Sequence, residues 1–65
     1  MQINLNGKPC QVEGVKTVQD LLERLELKGK LAVEINQEIV PRSHFQTHPV
    51  KPNDKIEIVH AIGGG

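Results

Sequence analysis

Aromatic side chains are almost absent from this chain of 65 residues: Phe45 is the only one, and there is no tryptophan or tyrosine. An excess of one charge is also lacking, because eight basic residues balance eight acidic ones without forming a basic cluster. Proteins that bind nucleic acids use basic clusters to contact phosphates and aromatic rings to stack on bases. The composition therefore argues against nucleic-acid binding.

Paired cysteines and long apolar runs are missing as well. Cys10 is the single cysteine, which excludes an internal disulfide and fits a reducing compartment. No apolar run approaches the roughly 20 residues that cross a bilayer, and no apolar leader follows the N-terminus. We therefore expect a cytoplasmic protein with no membrane partner. The length leaves room for one small domain with an aliphatic core.

The N-terminal residues predict a β-hairpin. Apolar and polar residues alternate over residues 1–5, as in a strand with one buried face. Asn6-Gly7 follows, and both residues accept the positive φ angles of a type I′ turn. Residues 8–13 are predicted to form the return strand. Pro9 assigns that strand to the edge of the sheet, because proline cannot donate to a ladder.

An amphipathic helix is predicted after the hairpin. Thr17 is a favourable N-cap, and Asp20 lies three residues later, where a capping box needs its acidic member. Apolar residues then recur with the spacing that gives a helix one buried stripe. They are Val18, Leu21, Leu22 and Leu25. Gly29 is predicted to take the left-handed conformation just past the helix end.

The C-terminal half predicts three further strands. They are residues 31–35, 38–40 and 55–62, and a turn at Asn36-Gln37 joins the first two. A short helical turn around Phe45 is expected to close one end of the core. In the last strand the isoleucines at 56 and 58 alternate with polar residues and should face inward.

These elements favour an α+β fold, with a mixed sheet of four to five strands covered by one main helix. The leucine stripe of the helix must be buried against a sheet face. The first and last strands can then lie side by side and parallel in the middle, which is the β-grasp, or ubiquitin-like, arrangement. We assign residues 1–62 to this domain and residues 63–65 to a flexible glycine tail.

The tail, Gly63-Gly64-Gly65, has no side chains to bury and carries the terminal carboxylate. Glycine loses more conformational freedom on ordering than other residues, so the triplet adds nothing to a core. Such a segment can thread a channel in which a Cβ would clash. On its own, the triplet is more typical of a frayed chain end.

The chain resembles the ThiS family, the bacterial sulfur carrier proteins of thiazole synthesis, over essentially its whole length. The resemblance rests on Asn6-Gly7, on Thr-Val-Gln-Asp-Leu-Leu at 17–22, and on Ala-Val-Glu-Ile-Asn at 32–36 with Ile-Val-Pro-Arg at 39–42. The ending, residues 54–65, is its most specific part. A third terminal glycine is a small departure from members that end in two.

The resemblance implies a carrier and not an enzyme. A ThiF-like adenylating enzyme would use Mg-ATP to adenylate the carboxylate of Gly65, while Gly63 and Gly64 thread its active site. A persulfide donor of the cysteine desulfurase type would then convert the adenylate into a thiocarboxylate. Thiazole synthase would receive the sulfur in thiamine biosynthesis. The chain itself would bind no cofactor, because ATP and magnesium belong to the partner.

Residues next to the tail are candidate partner contacts. Val59 and Ile62 lie outside the inward-facing set of the last strand, and an exposed apolar patch often marks an interface. His60 is a further candidate, with a solvent-facing histidine as the plainer interpretation. Arg42 and Lys55 are interpreted as solvated residues that also help docking.

Two other features have competing interpretations. Cys10 is interpreted as a small packing residue, with a sulfur-relay thiol as the alternative. His44 and His48 have an i, i+4 spacing that suits a metal on a helix, but no third ligand completes a set, so we expect no metal site.

Three other functions share the glycine ending. They are a molybdopterin-type sulfur carrier, a ubiquitin-like modifier that forms isopeptide bonds with lysine, and a non-catalytic interaction module. The molybdopterin-type carriers tend to be longer and to approach their final glycines through a proline, which is missing here. Genome neighbourhood would distinguish the two carrier types.

Overall fold

Residues 1–61 are described by the structure, a computed structural model, and they form five strands, one α-helix and one 3₁₀ turn. The strands are β1 (Gln2–Leu5), β2 (Lys8–Gln11), β3 (Leu31–Ile35), β4 (Glu38–Val40) and β5 (Lys55–His60). The helix α1 spans Val18–Arg24, and the 3₁₀ turn spans Arg42–His44. The predicted tail at 63–65 and the partner contact at Ile62 lie outside the described residues.

The strands form one mixed sheet in the order β2-β1-β5-β3-β4. The central strands β1 and β5 are parallel, with Leu5 opposite Ile56, and the other neighbouring pairs are antiparallel. The first and last strands therefore lie side by side in the middle, and the predicted β-grasp fold is confirmed. The strand that contains Pro9 lies at an edge, as expected from its missing donor.

Both hairpins turn through left-handed residues, which the sequence predicted for the first hairpin. In the first, Asn6 has a φ of 50° and Gly7 a φ of 83°. In the second, Asn36 has a φ of 51° and Gln37 a φ of 71°. These positive φ angles fit the type I′ turn, whose twist matches that of the strands it joins.

The helix begins with the predicted capping box. The Thr17 hydroxyl accepts the backbone N–H of Asp20 at 3.2 Å. The Asp20 carboxylate accepts the backbone N–H groups of Thr17 at 3.1 Å and Lys16 at 3.0 Å. Each bond satisfies a donor that the helix itself leaves without an acceptor.

A distant segment satisfies two more donors at the start of the helix. The N–H of Val18 donates to the carbonyl of His48 at 3.0 Å, and that of Gln19 donates to the carbonyl of Phe45 at 2.8 Å. The chain after the 3₁₀ turn therefore caps α1 in place of water. Phe45 is buried and, as expected, packs in the core.

The predicted end of the helix is wrong. The helix stops at Arg24, and Glu26, with a φ of 57°, is the left-handed residue that follows the cap. Leu27 N–H donates to the carbonyl of Leu22 at 2.9 Å, and Glu26 N–H donates to that of Glu23 at 3.0 Å. This pair of bonds is a Schellman motif, and Gly29, although its φ is 96°, lies farther along in the loop.

The core lies between α1 and one face of the sheet. Three members of the helix stripe are buried, and the fourth, Leu25, is half-buried against them. From the sheet, Ile3, Val33, Ile35, Ile56 and Ile58 are buried, and Leu5 is half-buried. Five other buried residues, which the helix stripe and the predicted inward-facing isoleucines do not include, complete the core. They are Val12, Val15, Leu31, Val40 and Val50.

We predict that Leu22→Ala destabilises the fold by about 2–5 kcal/mol, the range for an aliphatic side chain removed from a packed core. Leu22 is 4% exposed, so the variant leaves a cavity. In a domain of this size each kcal/mol lowers Tm by roughly 4–8 °C. Glu23→Ala, at the adjacent exposed position, is the control for thermal unfolding. Equal losses in the two variants would contradict the packing described.

We predict a change in acid stability for Asp20→Asn. The backbone N–H groups of Lys16 and Thr17 lower the pKa of the Asp20 carboxyl below its ordinary value of 3.8. A lowered pKa in the folded chain stabilises the fold above pH 3.8, and this stabilisation is lost as the pH falls through the folded value. Asp20→Asn should therefore be less stable at neutral pH and lose less stability in that acid range.

Thermal unfolding between neutral pH and pH 3 measures this difference. Glu23→Gln, which neutralises a carboxylate on the same helix without touching the cap, serves as the control. Parallel stability curves for Asp20→Asn and the wild type would contradict the prediction.

Candidate functional site

The candidate site is the C-terminal end of β5. This strand is hydrogen-bonded on both sides, to β1 and to β3, so it lies in the middle of the sheet. The last described residue, Ala61, still donates its N–H to the carbonyl of Lys30 at 2.7 Å. The last described residue is therefore still held by the sheet. Gly63, Gly64 and Gly65 themselves lie outside the described residues, and their predicted roles stay predictions.

The side chains of β5 divide between two environments. Ile56 is fully buried and Ile58 is 6% exposed, and both face the helix. Val59 points to the other side of the sheet and is 59% exposed. Successive residues of a strand face opposite sides, so one strand supplies both the core and the outer surface.

Val59 belongs to an apolar patch on the outer face of the sheet, which we call the outer patch: Ala32, Ile39 and Val59. Val59 pairs with Ala32 across β5 and β3, and Ile39 lies on β4, opposite Glu34. Ile39 is 77% exposed. Large apolar side chains exposed together on one face often mark an interface.

Sequence reasoning missed Ile39 and Ala32. The signal was present in the short strand Glu38–Val40, because a buried Val40 requires its neighbour Ile39 to face outward. The sequence did not show that Ile39 lies near Val59, because their proximity depends on the order of the strands in the sheet.

Two carboxylates border the outer patch. Glu34 and Glu57 are directly opposite each other on β3 and β5, on the same face as Val59. Like charges directly across a strand pair are destabilising. A basic group placed between them would relieve this repulsion, so the face suits a partner that combines apolar and cationic side chains.

The other candidate contacts are exposed but do not join the outer patch. His60 pairs with Leu31, and alternation places it on the helix side of the sheet, opposite Val59. Arg42 lies in the 3₁₀ turn, and Lys55 lies at the start of β5, far from the tail. The structure thus brings together Val59 with Ile39, and not with these three residues.

The histidine pair and the cysteine lie elsewhere. Within residues 1–61, no group of three or more His, Cys, Asp or Glu side chains is arranged to hold a metal ion. His44 is exposed in the 3₁₀ turn, and Nδ1 of His48 lies 3.0 Å from the carbonyl oxygen of Pro49. Cys10 is half-buried and packs against the core from β2. No helix in the described part of the chain is long and apolar enough to span a membrane.

Comparison with known proteins gives one family. The model of the ThiS family matches residues 3–65. The sulfur carrier protein ThiS of Escherichia coli is 39% identical over 66 residues, which cover all of both chains. The crystal structure of thiamine biosynthesis protein ThiS from Geobacter metallireducens superposes with a TM-score of 0.86, at 35% identity and over the full length of both chains.

A longer protein is also similar. A thiazole synthase of Magnetococcus marinus is 41% identical over 66 residues, which cover this whole chain but 20% of that protein. The present chain therefore corresponds to about one fifth of that synthase.

Proposed function

This chain belongs to the ThiS family, and we propose that it is a sulfur carrier protein of thiamine biosynthesis. The relatives of equal length that carry that name support the proposal. The observation that carries it is the glycine ending, which continues from a β5 held between two strands. The proposed reactive carboxylate then follows a strand end that the sheet holds from both sides.

The terminal carboxylate of Gly65 is the proposed site of chemistry. A carboxylate is a poor electrophile, because its negative charge repels nucleophiles. Attack of the carboxylate on the α-phosphate of ATP forms an acyl adenylate and releases pyrophosphate. The terminal sulfur of a persulfide then attacks the acyl carbon and displaces AMP. Cleavage of the remaining sulfur–sulfur bond by a thiol leaves the thiocarboxylate.

The chain acts as a co-substrate in this sequence. We assign ATP and magnesium to a ThiF-like adenylating enzyme, and the persulfide to a donor of the cysteine desulfurase type. What the chain supplies is reach, because Gly63 and Gly64 offer only backbone to a narrow channel.

Thiazole synthase is the proposed acceptor of the sulfur. The similar Magnetococcus marinus protein, named a thiazole synthase, contains a segment 41% identical to this chain within a much longer sequence. A carrier-like segment within one polypeptide with a synthase supports a working contact between the two.

The outer patch is the proposed docking surface for the adenylating enzyme. It lies on β5, β3 and β4, and its member Val59 is four residues from Gly63 in the sequence, so a partner bound there holds the tail close to its active site. The opposed Glu34 and Glu57 favour basic residues on that partner. Affinity should accordingly fall as ionic strength rises.

We predict that Val59→Asp or Ile39→Asp weakens binding to the adenylating enzyme by about tenfold or more, since a charge in an apolar contact lacks a partner. The fold should persist, because both side chains are exposed and strand substitutions of this kind cost up to about 1 kcal/mol. Ile62→Asp is expected to act in the same way.

Calorimetric titration measures the affinity, and Gln11→Asp is the matched control. It introduces the same charge at an exposed strand position on the distant β2 edge. Wild-type affinity in the patch variants, or an equal loss in the control, would exclude the outer patch as the docking surface.

The decisive experiment measures the intact mass of the chain. After incubation with the adenylating enzyme, Mg-ATP, a cysteine desulfurase and cysteine, the chain should gain the mass difference between sulfur and oxygen, and fragmentation should place it on Gly65. Deleting Gly65 should reduce the product, because Gly64 offers a similar carboxylate with shorter reach. Deleting residues 63–65 should abolish it, because the branched Ile62 becomes the terminus.

The outcome separates the alternative functions. Lysine-linked conjugates would indicate a protein modifier, and no ATP-dependent change with demonstrably active partners would leave an interaction module. Transfer of the sulfur to molybdopterin synthase in place of thiazole synthase would indicate the other carrier class.

A further inference from the structure

The parallel ladder between β1 and β5 ends before β5 does. Asn4 N–H donates to the carbonyl of Asp54 at 2.9 Å, and Asn6 N–H donates to that of Ile56 at 2.8 Å. Each step advances two residues along both strands, so the next acceptor is the carbonyl of Ile58. A continuing strand would bring the N–H of residue 8 to it.

Residue 8 is not there, because the hairpin has already reversed. Lys8 is paired with Leu5 on the opposite side of β1. The end of β5 would therefore lose its neighbour two residues before the strand ends at His60.

The side chain of Asn6 fills this position. Its Nδ2 donates to the carbonyl of Ile58 at 3.2 Å, and its Oδ1 accepts the N–H of Ile58 at 2.9 Å. One carboxamide thus supplies both groups that a continued β1 would have offered to Ile58: Oδ1 in place of the carbonyl of residue 6, and Nδ2 in place of the N–H of residue 8. The two residues are 52 positions apart in the sequence, and both bonds are partly buried, where they contribute more than exposed ones.

From these contacts we infer that Asn6 is a positioning residue for the C-terminal tail. It holds β5 on its β1 side at Ile58, while β3 holds the opposite side through Ala61 N–H and the Lys30 carbonyl, 2.7 Å apart. The tail begins directly after this doubly held segment. Asn6 does not touch the reacting carboxylate; it fixes the direction in which the chain leaves the sheet. The inference rests on the proposed carrier function.

A matched control exists in the other hairpin. Asn36 occupies the equivalent first turn position, with a φ of 51° against 50° for Asn6. Its Oδ1 accepts the N–H of Lys55 at 3.0 Å, and its Nδ2 donates to Asp54 at 3.1 Å. Asn36 therefore holds the start of β5 as Asn6 holds its end. Asn6→Gly and Asn36→Gly each keep the left-handed turn and remove two side-chain bonds to this region.

We predict that Asn6→Gly speeds amide hydrogen exchange at Ile58 by about tenfold, as expected for the loss of a partly buried hydrogen-bond pair. Exchange at Ala61 should also rise, because the strand end is then held from one side. Asn36→Gly should instead affect Lys55 and leave Ile58 and Ala61 as in the wild type. Unchanged exchange at Ile58 and Ala61 in Asn6→Gly would overturn the inference.

The functional comparison uses carrier-dependent ATP–pyrophosphate exchange by the adenylating enzyme. Asn6→Gly should lower kcat by roughly 10- to 100-fold, the effect of a misplaced reacting group, with little change in KM because the outer patch is intact. Asn36→Gly, of similar stability, should keep the wild-type kcat. Equal losses in both variants, in step with their Tm values, would reduce Asn6 to a structural role and refute the positioning role.

A further variant tests the inference if Asn6→Gly fails to fold. Asn6→Asp is nearly isosteric, keeps a residue that tolerates the left-handed turn, and lacks the Nδ2 donor to Ile58. Its carboxylate can still accept the Ile58 N–H but repels the Ile58 carbonyl, so kcat should fall as predicted for Asn6→Gly, while exchange at Ile58 should rise less than predicted for Asn6→Gly. If the wild-type chain itself shows no ATP-dependent reaction, the carrier proposal fails, and the exchange measurements still decide whether Asn6 holds the end of β5.

Discussion

The insertion of the last strand between β1 and β3 is the constraint on which the rest of the structure depends. β5 contributes two buried isoleucines, Ile56 and Ile58, to the sheet side of the core, and it forms ladders with both neighbours. A strand in this position cannot shift by one residue without turning its isoleucines to solvent. The register of β5, and with it the exit point of the tail, is therefore fixed by hydrophobic burial.

The central position of β5 also divides its side chains between the core and the exposed face of the sheet. The inner face of β5 packs under the helix, whereas the outer face carries Val59 within an exposed patch shared with β3 and β4. Because the two faces alternate residue by residue, the outer side chains are free of core packing. A domain this small can thus present an apolar surface next to the end of its central strand without weakening its interior.

Long-range polar contacts complete what the local structure leaves open. The carbonyls of Phe45 and His48 accept the first N–H groups of α1, and the Asn6 carboxamide continues a ladder that the hairpin interrupts. In both places a short element ends before its hydrogen bonds are satisfied, and a residue distant in sequence supplies the partner. Short strands and a helix of 7 residues depend on such contacts because their ends form a large share of their length.

The sequence alone determined the elements whose signals are local. Alternation located the strands, Asn6-Gly7 and Asn36-Gln37 marked the hairpins, and Thr17 with Asp20 marked the start of the helix. The leucine stripe needed one sheet face to cover, which allowed a central pairing of the first and last strands without requiring it, and the structure confirms that pairing. The family resemblance added the carrier role and the significance of the glycine ending.

Only the tertiary structure decided the features that depend on neighbours distant in the chain. The helix stops at Arg24, ahead of a left-handed Glu26 and not near Gly29, because a Schellman pair of bonds closes the last turn without glycine. Ile39 joined Val59 because β4 and β5 flank the same strand. Asn6 reached Ile58 because β1 stops short of the end of β5. Local sequence patterns specify which groups need a hydrogen-bond or packing partner. Strand order and register determine which distant residue supplies it.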